Sequence, residues 1–197
     1  MEKQNIPEIF PRGLSLNATE DDKIRHEAGH VVLHWLIGNK PVSVEATSNG
    51  FITKLEETRN VNEQPWHHIM ALLAGPIAEG NNDLLGEITG VLECMKEVCN
   101  QHFYPGSDSY RIFDYLLKLD NLMLWSSFAA VSDILVDCQD LLEDFYNRFK
   151  IRNELNSTEI DEMFSEWNNS KNWTQTQKLD KLKNKFDEKR GISPFNV

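Results

Sequence analysis

The sequence predicts a mainly α-helical protein with a small β element, an α+β arrangement closed by a C-terminal helical bundle. Three observations carry that expectation. Apolar residues recur at helical spacing through most of the 197 residues. One stretch, "PVSVEATSNGFITKLEE", alternates instead and contains a turn signal. Hydrophobic residues make up 40% of the chain, enough for one sizeable core.

Residues 1–18 read as an irregular arm broken by Pro7, Pro11 and Gly13. Thr19 and Asp22 have the spacing of a capping box, and the helix they open runs to about Ile37. Gly38, Asn39 and Pro41 stop it. Within it, Ile24, Ala28, Val31 and Trp35 share a core-facing stripe. The alternating stretch that follows is a β-hairpin or two short strands, with a turn at Asn49-Gly50. A helix begins after Pro65, and Gly75-Pro76 predicts a bend or restart in it. Residues 84–103 are helical by composition, "YPGSD" interrupts, and Ser107 or Asp108 caps a further helix. Leu122, Phe128, Leu135, Cys138, Leu142, Phe145 and Phe149 fit one long core helix. "NSTEIDEMFSEW" is a separate short helix capped by Ser157. From Asn168 onward seven Lys/Arg stand against three acids. With few apolar anchors, residues 168–197 read as a separable tail, a helical arm or a frayed end, outside a domain spanning 19–167.

The formal net charge of -11 disfavours a general nucleic-acid binder and an anionic membrane surface. Cys94, Cys99 and Cys138 form no CxxC pair, and an odd, sparse set fits free thiols in a reducing, cytoplasmic compartment. The start, "MEKQNIPEIF", lacks an apolar signal region. The longest apolar stretch, "LMLWSSFAAVSDILV", is too short to span a membrane and contains Asp133.

The chemistry is concentrated in "RHEAGHVVLHW", residues 25–35. Residues four apart on a helix lie about 6 Å apart on one face. His26 and His30 can therefore converge on one zinc ion, with Glu27 within reach of a water that the metal activates. HExxH is short, and the same letters occur on ordinary solvated helices. Here a capped helix leads into the motif, apolar positions surround it, and Ala28 and Gly29 let another backbone come close. His34 lies eight residues past His26, roughly 12 Å along the axis, too far to share that metal. His67 and His68 read as partly exposed helix-start residues. Glu79, His102 and Asp108 remain as candidates for a third ligand. Asp108 is attractive because a helix start holds a short carboxylate with its N–H groups.

At these residues the chain resembles the peptidase domain of the FtsH zinc metalloprotease family. "KIRHEAGHVVLHWL" is similar to that family's zinc helix, and "PVSVEATSNGFIT" to the strand segment that ends in a Gly-hydrophobic-Thr step. "IMALLAGPIAEG" resembles its helix with an Ala-Glu pair, and "GSDSYRI" the segment whose Asp is the third ligand. "ILVDCQDLLEDFYNRFKIRNELNSTEIDEMF" is similar to its two C-terminal helices. The resemblance covers roughly residues 19–165. It implies a zincin-like domain in which His26, His30 and Asp108 bind zinc and Glu27 is the general base. On that assignment Glu79→Gln and His102→Ala leave zinc binding nearly normal. Three positions depart from the family: Ser107 stands for an Asn, Pro76 for an Arg, and Gly80 for a second Glu.

About two dozen residues precede the motif, and no GxxxxGK[ST] phosphate loop occurs in the sequence. The expectation is a stand-alone, ATP-independent zinc metallopeptidase that cleaves flexible or unfolded polypeptides. It would have no membrane anchor, and a second copy or a separate ATPase would be its other partners. Gly50, Phe51, Ile52 and Thr53 could offer an edge strand to an extended substrate, or form a plain structural hairpin. Two other readings stand beside it: a non-catalytic zincin-like protein that binds partners, and a metal hydrolase acting on a non-peptide amide.

Overall fold

In the computed structural model, the described residues are 19–47, 50–56, 65–80, 121–171 and 175–190. Helix α1 (Glu20–Leu36) begins at the expected capping box. The Asp22 N–H donates to Thr19 Oγ1 at 3.2 Å, and the Thr19 N–H donates to the Asp22 carboxylate at 2.8 Å. The helix stops at Gly38, whose φ of 84° is the left-handed conformation that glycine tolerates. There the Gly38 N–H reaches the Trp35 carbonyl at 3.0 Å and the Asn39 N–H reaches that of His34 at 2.8 Å. That pair of bonds is a Schellman motif, and it satisfies carbonyls the helix end would leave open. Ile24, Ala28 and Val31 are fully buried as the spacing predicts, and Trp35 packs against the same core.

Strands β1 (Pro41–Thr47) and β2 (Gly50–Leu55) form the antiparallel hairpin. Thr47 pairs with Gly50, so Gly50 opens β2 and is not a turn residue. A third strand, β3 (Glu154–Asn156), pairs with the other side of β1 and gives the order β2-β1-β3. Nothing in "ELNSTEI" alternates long enough to announce it.

Helix α2 (Pro65–Ala78) carries Pro65 in its first turn, where no N–H is needed. It continues through Gly75-Pro76 without the expected restart. The missing N–H of Pro76 falls in the last turn, close to the end marked by Gly80 at φ 84°. The single long core helix becomes two, α3 (Asn121–Asp137) and α4 (Gln139–Arg152), divided at Cys138. No Gly or Pro marks the break. Each half serves a different neighbour: α3 packs on α2, and α4 packs on α1. Helix α5 (Ser157–Lys171) is capped by Asn156, one residue before the expected Ser157. Asn156 Oδ1 accepts from the Thr158 and Glu159 N–H groups at 3.0 and 3.1 Å, and Glu159 accepts the Asn156 N–H.

Helix α1 is the centre of the packing, in contact with α2, α4 and β2. Its first turns are held to α4 by Arg25–Glu143 at 2.6 Å and Asp21–Lys150 at 2.9 Å. The hydrogen bond from Lys150 holds the Asp21 carboxyl below its ordinary pKa. At the other end Trp35 stacks on Phe164 of α5, with ring centroids 4.0 Å apart. The described residues are mainly helical with one three-stranded sheet, and no helix among them is long and apolar enough to cross a membrane.

The reading of residues 168–197 as a separable segment is corrected by helix α6 (Gln175–Arg190), which packs along α3. Leu182 and Phe186 are buried in the main core. Lys181 meets Asp137 at 2.7 Å, and Lys185 lies 3.5 Å from Asp133 and 3.6 Å from Asp137. Two apolar side chains one turn apart are enough here because flanking lysines match acids on the facing helix. Residues 168–171 belong to α5. Phe186→Ala is expected to cost about 3–5 kcal/mol. That should lower the melting temperature by roughly 6 °C or more in calorimetry. A melting temperature unchanged by this substitution would restore the separable-tail reading.

Candidate metal centre

The site begins with the α1–α2 crossing. A Cβ on Gly29 would lie 2.7 Å from Ala78 Cβ and would also strike the Ala74 carbonyl oxygen. The helices can therefore approach this closely only with glycine at position 29. The approach brings His26 and His30, one turn apart on α1, against Ala71 and Gly75 of α2 and Glu79 just past its end.

Each imidazole is fixed by its Nδ1. His26 Nδ1 lies 2.8 Å from Glu79 Oε2, and both side chains are buried, at 7% and 6% exposure. His30 Nδ1 lies 2.7 Å from the Ala71 carbonyl oxygen. Both partners are acceptors, so each Nδ1 carries the proton when its ring is neutral. Each Nε2 is then unprotonated, and the two Nε2 atoms face each other at 2.9 Å. Two lone pairs at that distance repel unless a proton or a cation lies between them. Donor nitrogens about 2.0–2.1 Å from one tetrahedral ion would stand about 3.3 Å apart, so a few tenths of an ångström of opening would suffice.

Gly75 leaves room for this pair. A Cβ there would sit 2.5 Å from His26 Nε2 and closer still to His30 Nε2. The donor set fits a divalent cation that favours imidazole, zinc among them. Metal-ligating histidines characteristically give their other N–H to a carboxylate or a backbone carbonyl, the two kinds of partner present here.

Glu27 lies on the same helix but points away from α2. Its Oε2 accepts a hydrogen bond of 2.8 Å from Thr53 Oγ1 on β2. The four residues expected to bind substrate divide by the pleat of the strand. Phe51 turns inward onto Phe149, with ring centroids 5.3 Å apart, and Thr53 turns inward onto Glu27. Ile52 faces out and is 48% exposed. Gly50 begins the strand opposite Thr47. Of the remaining histidines, His34 Nδ1 accepts from Asn39 Nδ2 at 3.2 Å beyond the site, and His67 is half-buried near the start of α2.

Asp108 and His102 lie outside the described residues, so the expected third ligand does too. No group of three or more ligating side chains forms among the described residues. Glu79, one of the candidates, meets His26 at Nδ1, behind the ring, and so acts as the partner that orients this histidine. Its importance is the feature that sequence reasoning missed. The only signal was a carboxylate one turn past Gly75, and its target could not be named without the antiparallel pairing of α1 and α2. No protein-family model matches this chain, and no curated protein matches it.

The buried Glu79–His26 contact changes what is expected of Glu79→Gln. A neutral amide is the weaker acceptor, and loss of such a partner lowers metal affinity by roughly 10- to 100-fold. Competition with a zinc chelator measures it, and affinity equal to the parent's would show that the contact is incidental. Gly75→Ala should displace both imidazoles and abolish stoichiometric zinc by elemental analysis. Full zinc content in that variant would place the metal elsewhere.

Proposed function

We propose that the protein is a zinc-dependent metallopeptidase with a zincin-like catalytic helix. The observation that carries this reading is the pair of facing Nε2 atoms, each backed by a buried acceptor, with Glu27 next to His26. Beside it stands the ordered resemblance of residues 19–165 to the FtsH peptidase domain. His26 and His30 would hold the ion, and Asp108 is proposed as the third ligand. Bound zinc would acidify a water molecule and polarise the scissile carbonyl.

The residues of the chain supply the remainder. Glu27 takes the proton of the attacking water on its carboxylate and returns it to the leaving amine. Its Thr53 contact restricts the directions that carboxylate can take. Among the described residues β2 pairs only with β1, so its other edge has the N–H and C=O groups that an extended peptide would need. Ile52 and Lys54 alternate outward along it. A peptide laid there must be extended, which selects flexible or unfolded polypeptides over stable folded domains. No nucleotide takes part in the proposed step.

Glu27→Gln should keep full zinc content and lower hydrolysis of casein or flexible peptides by at least about 100-fold. ATP should leave the parent rate unchanged. Asp108→Ala should lose zinc in chelator competition while His102→Ala keeps it, and the reverse ranking would reassign the third ligand. Zinc-loaded protein that cuts no member of a diverse peptide library would overturn the peptidase reading.

A further inference from the structure

We propose that Thr53 is a positioning residue for Glu27, and that its hydroxyl sets the direction of the general base. The inference rests on the hydrolase reading above and deepens it. Thr53 is 26 residues away from Glu27 in sequence, yet its Oγ1 donates to Glu27 Oε2 at 2.8 Å. A hydrogen bond to an ionised carboxylate is of the strong, charge-assisted kind. It occupies Oε2 and leaves Oε1 to carry the proton.

The surroundings make this contact directional. Thr is β-branched, so its hydroxyl direction follows the strand backbone closely. The strand itself is seated by Phe51 against Phe149, one inward position before Thr53. The neighbouring charges on the hairpin face the other way. Lys54 pairs with Glu45 at 2.7 Å on the outer side of the sheet, where it cannot compete for Glu27. The Glu27 side chain has several rotatable bonds and is only half-buried, so without the hydroxyl it would sample several directions. Pairing with β1 along Thr47–Gly50 to Pro41–Leu55 holds the strand in place. The same strand carries the hydroxyl that aims the base.

Two variants test this. Thr53→Val keeps the shape and the strand preference but lacks the donor, whereas Thr53→Ser keeps the hydroxyl. The first measurement needs no turnover: the Glu27 side-chain carboxyl carbon is followed by NMR in zinc-loaded, 13C-glutamate-labelled protein. Thr53→Val should shift that resonance and Thr53→Ser should leave it near the parent position, with equal zinc content in all three proteins. The second measurement is kinetic, on a flexible peptide. Thr53→Val should lower kcat by roughly 10- to 100-fold, the range for one lost hydrogen bond to a charged group, with KM changed less than about twofold. Thr53→Ser should recover most of the rate. An unmoved Glu27 resonance, equal kinetic losses in both variants, or a rise in KM with kcat intact would each overturn the proposal. A parent protein that turns over no peptide would overturn the hydrolase reading and the kinetic half of this inference together. The carboxyl resonance would still decide whether Thr53 holds Glu27.

Discussion

The close crossing of α1 and α2 is the constraint on which the rest of the structure depends. Two glycines permit it, one from each helix. Gly29 lets the α2 backbone reach α1, and Gly75 keeps that backbone off the two imidazole nitrogens. With even a methyl group at either position the helices would have to separate, and Ala71 and Glu79 would lose their histidines. Interiors are packed too densely to absorb such a shift locally. The aromatic stack at the far end of α1 and the ion pairs at its near end then hold the helix against α5 and α4. Position along and around α1 is thus fixed by contacts that lie outside the site.

Burying His26 with Glu79 has an energetic consequence. Taking an imidazole and a carboxylate out of water is costly unless each finds a partner. Here each is the partner of the other at Nδ1. The two Nε2 atoms face each other at 2.9 Å, an arrangement that favours a cation or a shared proton. Metal binding at such a place is linked to folding, since the unfolded chain holds no preformed pair of donors. The acceptors also run in register. His26 and His30 ascend α1, while Ala71 lies on α2 and Glu79 just past its end, so one antiparallel pairing satisfies both rings.

Local signals were legible where local chemistry decides. Thr19 and Asp22 cap α1, Gly38 ends it, and the His26–His30 spacing puts two rings on one face, all as the letters indicate. The hairpin was legible from alternation, although Gly50, read as a turn residue, pairs with Thr47 as the first residue of β2. What escaped was decided by tertiary contact. The division at Cys138 exists because two halves of an apolar stripe pack on different neighbours. β3 is three residues long and exists through its pairing with β1. Helix α6 looked unanchored because its lysines read as solvated charge, when Lys181 and Lys185 match Asp137 and Asp133. Glu79 was visible as a carboxylate but not as the partner of a particular nitrogen.

Helix geometry explains how the tasks of the candidate site are divided. Successive residues turn by about 100°, so Glu27 must leave the face that His26 and His30 share. The histidines look toward α2, which offers two acceptors and a glycine. Glu27 looks toward β2, which offers a hydroxyl and an unpaired edge among the described residues. Each face of α1 is therefore braced by a different element, and the two braces differ in character. Helix α2 is buried and fixes the donors through backbone packing. Strand β2 lies at the rim of the sheet, where a bound chain can reach it. On the proposed reading, one helix would hold an ion with donors braced by α2 while the edge strand, through Thr53, fixes the direction of its carboxylate.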